Sequence, residues 1–428
     1  MGISSSLNAG VQGLAANATK LATISENIAN SETNGYKRVD TEFNSLVLDF
    51  GAGAFTAGGV RATTTRFIDA EGPLQGTSNP TDITVAGPGF LPTTDLNGLN
   101  SPAGSRDLFL VTTGSFRPDQ EGFLRTSTGQ FLLGLPIDAD GNVAPSPNDS
   151  IAGFEPINVL QNQATSSPTT EFNLGVNLPA TVTDTTVSFD APVEYFDNLG
   201  IPQVLTFSFS PNAAANTWDV ELFDTASATP TVSSGAFTLS FNNTTAEPGT
   251  LDTVTAGAGV TVDAATDAIT INLPHSPVTI NTRSPSGQSL LSQIAADFSP
   301  IGITKNGVAV GDLQTVEISE EGFIEAVYDT GFRQQLYQVR VADVPNKNGL
   351  RSTNGQAYQI SQQSGGVFFY DSGTGPVGTT VGFSLEGSTT DVAAELTALI
   401  ETQRAYSSNA RIITTVDEVL EETTNLVR

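Results

Sequence analysis

The 428-residue sequence contains one histidine, His275, and histidine is the residue type most often used for acid–base catalysis near neutral pH. Histidine can serve as a general base because its unperturbed pKa is about 6.5. Pro274 and Pro277 flank it, however, and such surroundings favour an exposed loop over a buried pocket. The chain has no cysteine, which excludes disulfides, thiol nucleophiles and thiolate metal sites.

A glycine pattern near the C-terminus matches a nucleotide-binding fingerprint in its letters alone. Residues 373–378 have the form Gly-x-Gly-x-x-Gly, but a phosphate-binding loop of this kind must open a helix. The pattern contains Pro376, and the run Thr379-Thr380-Val381 that follows it is typical of a strand. We therefore predict a turn at this position, and we expect no cofactor.

One acidic stretch has part of the spacing of a calcium-binding loop. Four oxygen-bearing side chains fall at its first, third, fifth and twelfth positions: Asp138, Asp140, Asn142 and Asp149. The sixth position requires glycine but holds Val143, and Pro145 interrupts the loop. A hairpin turn around residues 140–142 is the stronger interpretation, so we predict neither a metal site nor an enzyme.

The charge distribution limits the possible partners. The formal net charge is −28, and the stretch between Arg125 and Arg283 holds 16 acidic residues and no basic residue. Such a surface repels nucleic-acid phosphates and anionic lipid, so we expect no nucleic-acid partner. No apolar run reaches the roughly 18 residues that indicate a membrane span, and no cleaved secretory signal is visible.

Residues 5–30 carry apolar or small side chains at helical spacing. The steps alternate between four and three, which is the seam pattern of a coiled coil: Leu7, Val11, Leu14, Ala18, Leu21 and Ile28. Asn34-Gly35 predicts a turn after this helix.

The C-terminal pattern is longer. An apolar or aromatic residue recurs every seven positions and forms a stripe along the predicted helix: Leu385, Val392, Leu399, Tyr406, Ile413, Leu420 and Val427. Leu396 and Ala410 fall on a second seam, which Gln403, Asp417 and Thr424 interrupt. Residues 388–391 fit a capping box, and neither glycine nor proline follows, so we predict one helix about 55–60 Å long.

Neither terminal helix has a nearby segment that could cover its apolar stripe. Pairing one helix with the other is the economical solution, yet a two-helix unit has no closed core and leaves apolar surface exposed. Burying a Leu or Ile side chain is worth roughly 1.5–3 kcal/mol, so the remaining surface favours self-association. The expected polymerisation interface consists of these stripe residues: Leu7, Val11, Leu14, Leu21, Ile28, Val392, Leu396, Leu399, Tyr406, Ile413, Leu420 and Val427.

The middle of the chain has the alternation of β-strands. Leu205, Phe207 and Phe209 alternate with polar residues, and the same pattern recurs from Trp218 and from Phe237. The sequence therefore predicts a mixed, mainly β protein with helical ends.

Both ends resemble the signatures of bacterial flagellar rod and hook axial proteins. The resemblance lies in residues 24–37 and in 385–417, with further similar blocks at 79–90, 111–134 and 322–364. The signature positions are these: Asn27, Ala29, Asn30, Thr33, Gly35, Tyr36, Gln403, Arg404 and Ala405. Among these, Arg404 is an interface candidate, as is Tyr406 of the stripe.

The resemblance implies a nested multidomain fold, with a terminal α-helical coiled-coil domain, a discontinuous β domain and an inserted outer β domain. The expected division is a helical polymerisation domain of 1–35 and 385–428, a linker of 36–72, a middle β domain of 73–145 and 288–384, and an outer β domain of 146–287. The large insertion favours a hook protein over the shorter rod proteins.

By resemblance, the chain would be an extracellular subunit exported without a cleaved signal peptide. It would form a curved, flexible, hollow tube that transmits torque from the motor and rod to the filament. Its partners would be further copies of itself and the rod, hook cap, hook–filament junction and export apparatus proteins. The alternatives are a distal rod protein with a large insertion and a secreted β-rich adhesin, although the single tryptophan argues against an aromatic-lined glycan site.

Overall fold

The computed structural model describes residues 3–46, 59–102, 104–138, 141–160, 164–245 and 247–426. The chain divides into two compact units. Unit 1 consists of Met1–Gln161, Thr315–Val327 and Arg333–Arg428, and unit 2 of Asn162–Gln314 and Tyr328–Phe332. The insertion thus begins and ends further along the chain than the predicted 146 and 287, and the finer four-part division stays a prediction.

Unit 2 consists of antiparallel and mixed β-sheet around one apolar core. Its strands are β12 Ala164–Ser167, β13 Glu171–Pro179, β14 Phe189–Phe196, β15 Pro202–Pro211, β16 Thr217–Asp224, β17 Gly235–Phe241, β18 Leu251–Ala256, β19 Val260–Val262, β20 Ile269–Asn272, β21 Pro277–Asn281, β22 Ser292–Ile294 and β23 Ser299–Lys305. One sheet has the order β14-β15-β16-β17-β18, and a second has β19-β20-β21-β13-β22, with β23 paired to β13.

The predicted alternation in unit 2 is confirmed. On β15 the side chains of Leu205, Phe207 and Phe209 are fully buried, and the residues between them face away from the core. Trp218 and Phe237 belong to the equivalent buried sets on β16 and β17. Strand β16 pairs in register with β15 on one side and with β17 on the other. This face packs in one cluster with residues of the second sheet, such as Phe172 of β13 and Ile271 of β20.

Unit 1 combines the helices with short strands. Its first strands are β1 Val39–Ser45, β2 Val60–Arg66, β3 Leu74–Gly76, β4 Asp82–Ala86, β5 Leu91–Thr94, β6 Phe109–Val111, β7 Thr113–Ser115, β8 Arg117–Pro118, β9 Leu124–Arg125, β10 Phe131–Pro136 and β11 Glu155–Pro156. Strand β24 Val308–Ile318 begins in unit 2 and ends in unit 1. After it come β25 Phe323–Tyr328, β26 Arg333–Gln338, β27 Val341–Asp343, β28 Arg351–Ser352, β29 Tyr358–Gln359, β30 Phe368–Tyr370, β31 Thr379–Gly382 and β32 Ser384–Glu386. The helices are α1 Ile3–Ala29, α2 Leu96–Leu99 and α3 Val392–Leu426.

Neighbouring strands in the sheets of unit 1 often come from distant parts of the chain. One sheet contains the order β26-β10-β5-β6-β29-β28, another has β31-β4-β7, and β3 pairs with β32. The stretch 36–72, predicted to be a linker, instead contains an antiparallel ribbon in which β1 and β2 pair along their whole length. Residues 47–58, between the two strands in sequence, lie outside the described residues.

The C-terminal helix is a single helix, as predicted, but it starts later than the heptad pattern suggests. Leu385 lies in β32 opposite Gln75, so the first member of the stripe belongs to a strand. The predicted capping box at 388–391 is wrong, because the carboxylate of Asp391 caps the helix by accepting from the N–H groups of Ala393 and Ala394. The 35 residues of α3 span about 52 Å.

The three motifs that could have indicated chemistry are turns or loops. His275 is exposed in the connection between β20 and β21. Residues 373–378 connect β30 to β31 without opening a helix. The carboxylate of Asp138 accepts from the N–H of Asn142, which closes the predicted hairpin turn; Asp140 lies outside the described residues.

The single tryptophan makes unit 2 separately observable in the intact chain. Phe207→Ala should lower the free energy of unfolding of unit 2 by about 3–5 kcal/mol, because it removes a ring from a fully buried site. Urea unfolding followed by Trp218 fluorescence measures this. Thr206→Ala, one residue away on the opposite face of β15, should cost less than about 1 kcal/mol; equal losses would show that β15 does not have its core face where we place it.

Candidate assembly site

The two terminal helices pack against each other in antiparallel orientation. Gly10 lies opposite Ile413, Gly13 opposite Asn409, and Asn27 opposite Glu395, so α1 advances as α3 recedes. A Cβ atom built on Gly13 would lie 3.1 Å from the amide nitrogen of Asn409. The glycines therefore permit a close approach of the helices, and the predicted pairing of the chain ends is confirmed.

The residues at this contact differ from those that the heptad pattern predicted. On α1 most of the described buried positions hold small or polar residues, such as Gly10, Gly13, Asn17 and Asn27, while the large apolar residue Ile24 is buried as well. On α3 the most buried positions are these: Glu395 and Thr402, with Leu399, Asn409, Ile413 and Val416 half-buried. The second seam of α3 is therefore 395-402-409-416, one residue before the predicted line through Leu396 and Ala410.

Local hydrogen bonds explain why polar residues can lie at the contact. The amide of Asn17 donates to the carbonyl of Gly13, and the hydroxyl of Thr402 donates to the carbonyl of Ala398. Each polar group is thus satisfied within its own helix, which removes most of the cost of burying it. At this contact the two helix backbones therefore approach closely, and few large apolar side chains are buried between them.

The predicted interface residues consequently fall into two groups. Six are half-buried: Leu7, Leu14, Leu21, Ile28, Leu399 and Ile413. Five are exposed: Val11, Val392, Leu396, Tyr406 and Leu420. Val427 lies outside the described residues. Three exposed apolar residues of α3 were missed because they lie off the seven-residue repeat: Ile400, Ile412 and Val419.

The exposed apolar residues of α3 form two flanks. Val392, Leu396 and Ile400 recur every four residues on one side of the contact with α1, where Ile400 is 52% exposed. Ile412 and Val419 are seven residues apart and lie on the opposite side. The intramolecular pair therefore leaves both flanks of α3 uncovered.

Near the C-terminal end of α1, the side chain of Asn27 connects this helix to residues 36–39 and to α3. Its side-chain oxygen accepts from the hydroxyl of Tyr36 (3.0 Å) and from the N–H of Val39 (2.9 Å). Its nitrogen donates to the carbonyl of Val39 (2.7 Å) and to the carboxylate of Glu395 (3.1 Å). Asn27 is 1% exposed, so all four hydrogen bonds are shielded from water. Burial, followed by the charge of Glu26, raises the pKa of Tyr36 to about 12, so the phenol keeps the proton that it donates.

Two ion pairs complete this junction. Lys37 and Glu386 are both buried, and the ammonium nitrogen lies 2.6 Å from a carboxylate oxygen that also accepts from the N–H of Gly72. Arg38 donates to the buried carboxylate of Glu395 at 2.6 Å. Breaking a buried pair by removing one partner costs about 3–5 kcal/mol, since the other charge stays buried. We define the N–C junction as Asn27, Tyr36, Lys37, Arg38, Glu386 and Glu395.

Sequence reasoning placed these residues, except Arg38, within the two resembling blocks but did not identify the ion pairs. Lys37 and Glu386 are 349 residues apart, and Arg38 and Glu395 are 357 apart. Neither spacing carries a local periodic signal. The available signal was indirect: two charged residues follow the N-terminal helix, and isolated glutamates stand close to the start of the C-terminal helix.

The other signature residues of the N-terminal block build the turn after α1. Thr33 donates its hydroxyl to the side chain of Asn30, while Ala29 is exposed. Gly35 has φ +72°, a conformation that favours glycine, and its N–H donates to the carbonyl of Glu386 (2.8 Å). This turn directs Tyr36 and Lys37 back toward the chain's other end.

The C-terminal signature is not brought to the junction. Gln403, Arg404 and Ala405 are all exposed on α3, and as three consecutive residues they spread over more than half of its circumference, outside the buried 395-402-409-416 line. The two signatures thus have different structural roles: the N-terminal one organises the junction, and the C-terminal one lies on a free helical surface.

Comparisons with protein families match three parts of the chain. Residues 7–37 match the flagella basal body rod protein family, and 382–426 match the C-terminal family of the flagellar basal body rod FlgEFG proteins. Residues 138–308 match the D2 domain family of the flagellar basal body protein FlaE. These ranges correspond to α1 with its turn, to α3 with β32, and to most of unit 2.

Relatives similar over the whole length are flagellar hook proteins. The chain is 30% identical to the flagellar hook protein FlgE of Rhizobium meliloti over 434 residues, covering 100% of both chains. It is 28% identical to that of Escherichia coli, covering 97% of this chain and 98% of the relative. Among solved structures, the Helicobacter pylori flagellar hook protein FlgE2 covers 73% of this chain and all of its own, with a TM-score of 0.50 and 12% identity, which supports the fold.

The junction predicts a difference between two asparagines of the same signature. Asn27→Ala should lower the free energy of unfolding of unit 1 by about 2–4 kcal/mol, because it leaves buried groups of Tyr36, Val39 and Glu395 without a partner. Urea unfolding followed by far-ultraviolet circular dichroism measures the loss. Asn30→Ala, which removes a bond within α1 and one to Thr33, should cost less than about 1 kcal/mol; the reverse order of effects would contradict the role assigned to Asn27.

Proposed function

The chain belongs to the flagellar hook protein family, and from that premise we propose that it polymerises through its paired terminal helices into the hook of a bacterial flagellum. The assembled hook would be a curved, flexible, hollow tube that transmits torque from the motor and rod to the filament. Further copies of the chain are the principal partners.

The observation that carries this proposal is the pair of uncovered apolar flanks on α3. The N–C junction fixes the start of α3 through Glu395, so the helix is held in place while its apolar residues face outward. Burying a Leu or Ile side chain from about half exposure contributes roughly 1 kcal/mol, and each copy offers several such residues. A second copy of the helix pair supplies the matching surface, because α1 also exposes Val11.

The type of contact determines the form of the polymer. The flanks on α3 and the exposed part of α1 are different surfaces, so a contact between them is heterologous. Heterologous contacts that do not close into a ring generate open helical assemblies. The exposed signature residues Gln403, Arg404 and Ala405 lie on the part of the α3 surface that α1 leaves uncovered, and they would contact other copies or border the channel.

We infer the cellular location and the further protein partners from the same family membership. The hook lies outside the cell, so we propose an extracellular location reached by export without a cleaved signal peptide. The rod, the hook cap, the hook–filament junction and the export apparatus are the proposed neighbours. No described helix is long and apolar enough to cross a membrane. The relatives are named for a structural part, and we propose that this chain too has a structural rather than an enzymatic role.

Substitution on one flank tests the proposal. Leu396→Asp should leave the monomer folded, because Leu396 is 46% exposed in the single chain. It should prevent assembly or raise the critical concentration at least tenfold, because a charge would enter an apolar contact at every copy. Negative-stain microscopy and sedimentation of the purified chain are the measurements.

Leu396→Met is the matched control, since it conserves volume and apolar character and should still assemble. If a folded Leu396→Asp variant forms tubes of normal length, α3 is not part of the assembly interface.

A further inference from the structure

Two arginines of unit 1 stand side by side on neighbouring strands. Arg117 on β8 and Arg125 on β9 are register partners, so both side chains project from one face of the strand pair. Like charges directly opposite each other are destabilising. Both residues are exposed and line an open cavity of about 760 Å³. The other polar side chains of its lining are Ser115, Asp119, Gln120, Glu121, Thr126 and Ser127.

Among the described residues, neither guanidinium group has a carboxylate within salt-bridge distance. Asp119 lies in the turn between the two strands, but its carboxylate accepts from the N–H groups of Glu121 and Phe123 and so closes the turn. The guanidinium carbon of Arg125 lies 6.0 Å from the centre of the Phe131 ring. In a chain of net charge −28, two adjacent arginines without an ion pair indicate a surface for an anionic partner.

Unit 2 carries a complementary surface. On the solvent face of the β14–β18 sheet, Asp190, Ser208 and Glu221 form one cross-strand row, and Asp219 lies two residues from Glu221 on the same face. Ser208 lies between the buried Phe207 and Phe209, which places the whole row on the side away from the core. The five strands contain no basic residue, so nothing in this sheet neutralises the row.

The basic residues elsewhere in unit 2 do not neutralise the row either. Arg283 is paired with Asp267 at 2.8 Å and Lys305 with Glu194 at 3.1 Å. Adjacent strands are about 4.8 Å apart, so the backbones of Asp190 and Glu221 are separated by roughly 10 Å, a span that two long arginine side chains can bridge.

We propose that the Arg117–Arg125 pair of one copy binds the Asp190–Glu221 row of a second copy. The positive and the negative surface are both present on this chain, so we take a second copy, rather than another anionic molecule, as the partner. The contact joins unit 1 of one copy to unit 2 of the next, so it is heterologous and repeats along an open polymer. Because both sides are exposed and charged, it guides the register of the copies and responds to salt, whereas the apolar flanks of α3 hold them together. The inference rests on the proposed polymerisation.

The first test neutralises the arginines. Arg117→Gln/Arg125→Gln should raise the critical concentration for assembly about tenfold and weaken its dependence on salt. Arg61→Gln/Arg351→Gln changes the net charge equally at two exposed arginines of unit 1 and should have less than a twofold effect. Sedimentation of the purified full-length chain over a range of salt concentrations gives both quantities, and equal effects of the two double variants would overturn the proposal.

The second test exchanges the charges. Arg117→Glu/Arg125→Glu and Asp190→Arg/Glu221→Arg should each abolish assembly of a chain that circular dichroism and Trp218 fluorescence show to be folded. The fourfold variant, which combines them, should assemble again. Failure of the fourfold variant while each reversed pair remains folded would show that the two surfaces do not meet. Normal tubes from either reversed pair would overturn this contact while leaving the proposed function intact, and a wild-type chain that never assembles would instead refute the proposed function.

Discussion

Buried charge ties the two ends of this chain together. Lys37 and Glu386 lie 2.6 Å apart with almost no access to water, and Arg38 reaches the equally buried Glu395. Water no longer solvates Lys37, Glu386 and Glu395, so each of these charges depends on its partner, and neither end of the chain can adopt this arrangement without the other. Three parts of unit 1 adjoin this junction: helix α3, the β1–β2 ribbon and the β3–β32 pair.

A polar junction also explains the composition of the helix pair above it. Because Asn27, Glu395 and the ion pairs set the position and direction of α3, its contact with α1 does not depend on a large apolar seam. Glycines and locally satisfied Asn and Thr side chains suffice for close packing. Several large apolar residues, such as Leu396 and Ile400, then remain exposed, where we propose that other copies contact them. In this proposal, subunit folding and contact between subunits use different residues of the same helices.

Much of this could be predicted from sequence, and the limits have physical causes. Strand alternation such as Leu205-Phe207-Phe209 is a local signal of period two, and it identified the core of unit 2 correctly. The terminal helices and their pairing followed from the heptad repeat in the same way. The face of contact was wrong by one residue, because Leu396 and Val11 resemble seam residues by type, whereas glycines decide where two backbones can approach. The ion pairs of the junction join residues more than 300 positions apart, and no local pattern reports such a pairing.

The central claim is that the apolar flanks of α3 contact other copies while the N–C junction stays intact within each copy. Electron cryomicroscopy of the assembled polymer, at a resolution that separates side chains, tests both halves in one measurement. We predict that Leu396 and Ile400 pack within about 4.5 Å of apolar side chains from a second copy. In the same map Asn27 should still donate to Glu395, and Lys37 should still pair with Glu386. Flanks that face an open channel or solvent, or helices exchanged between copies with the junction broken, would contradict the account.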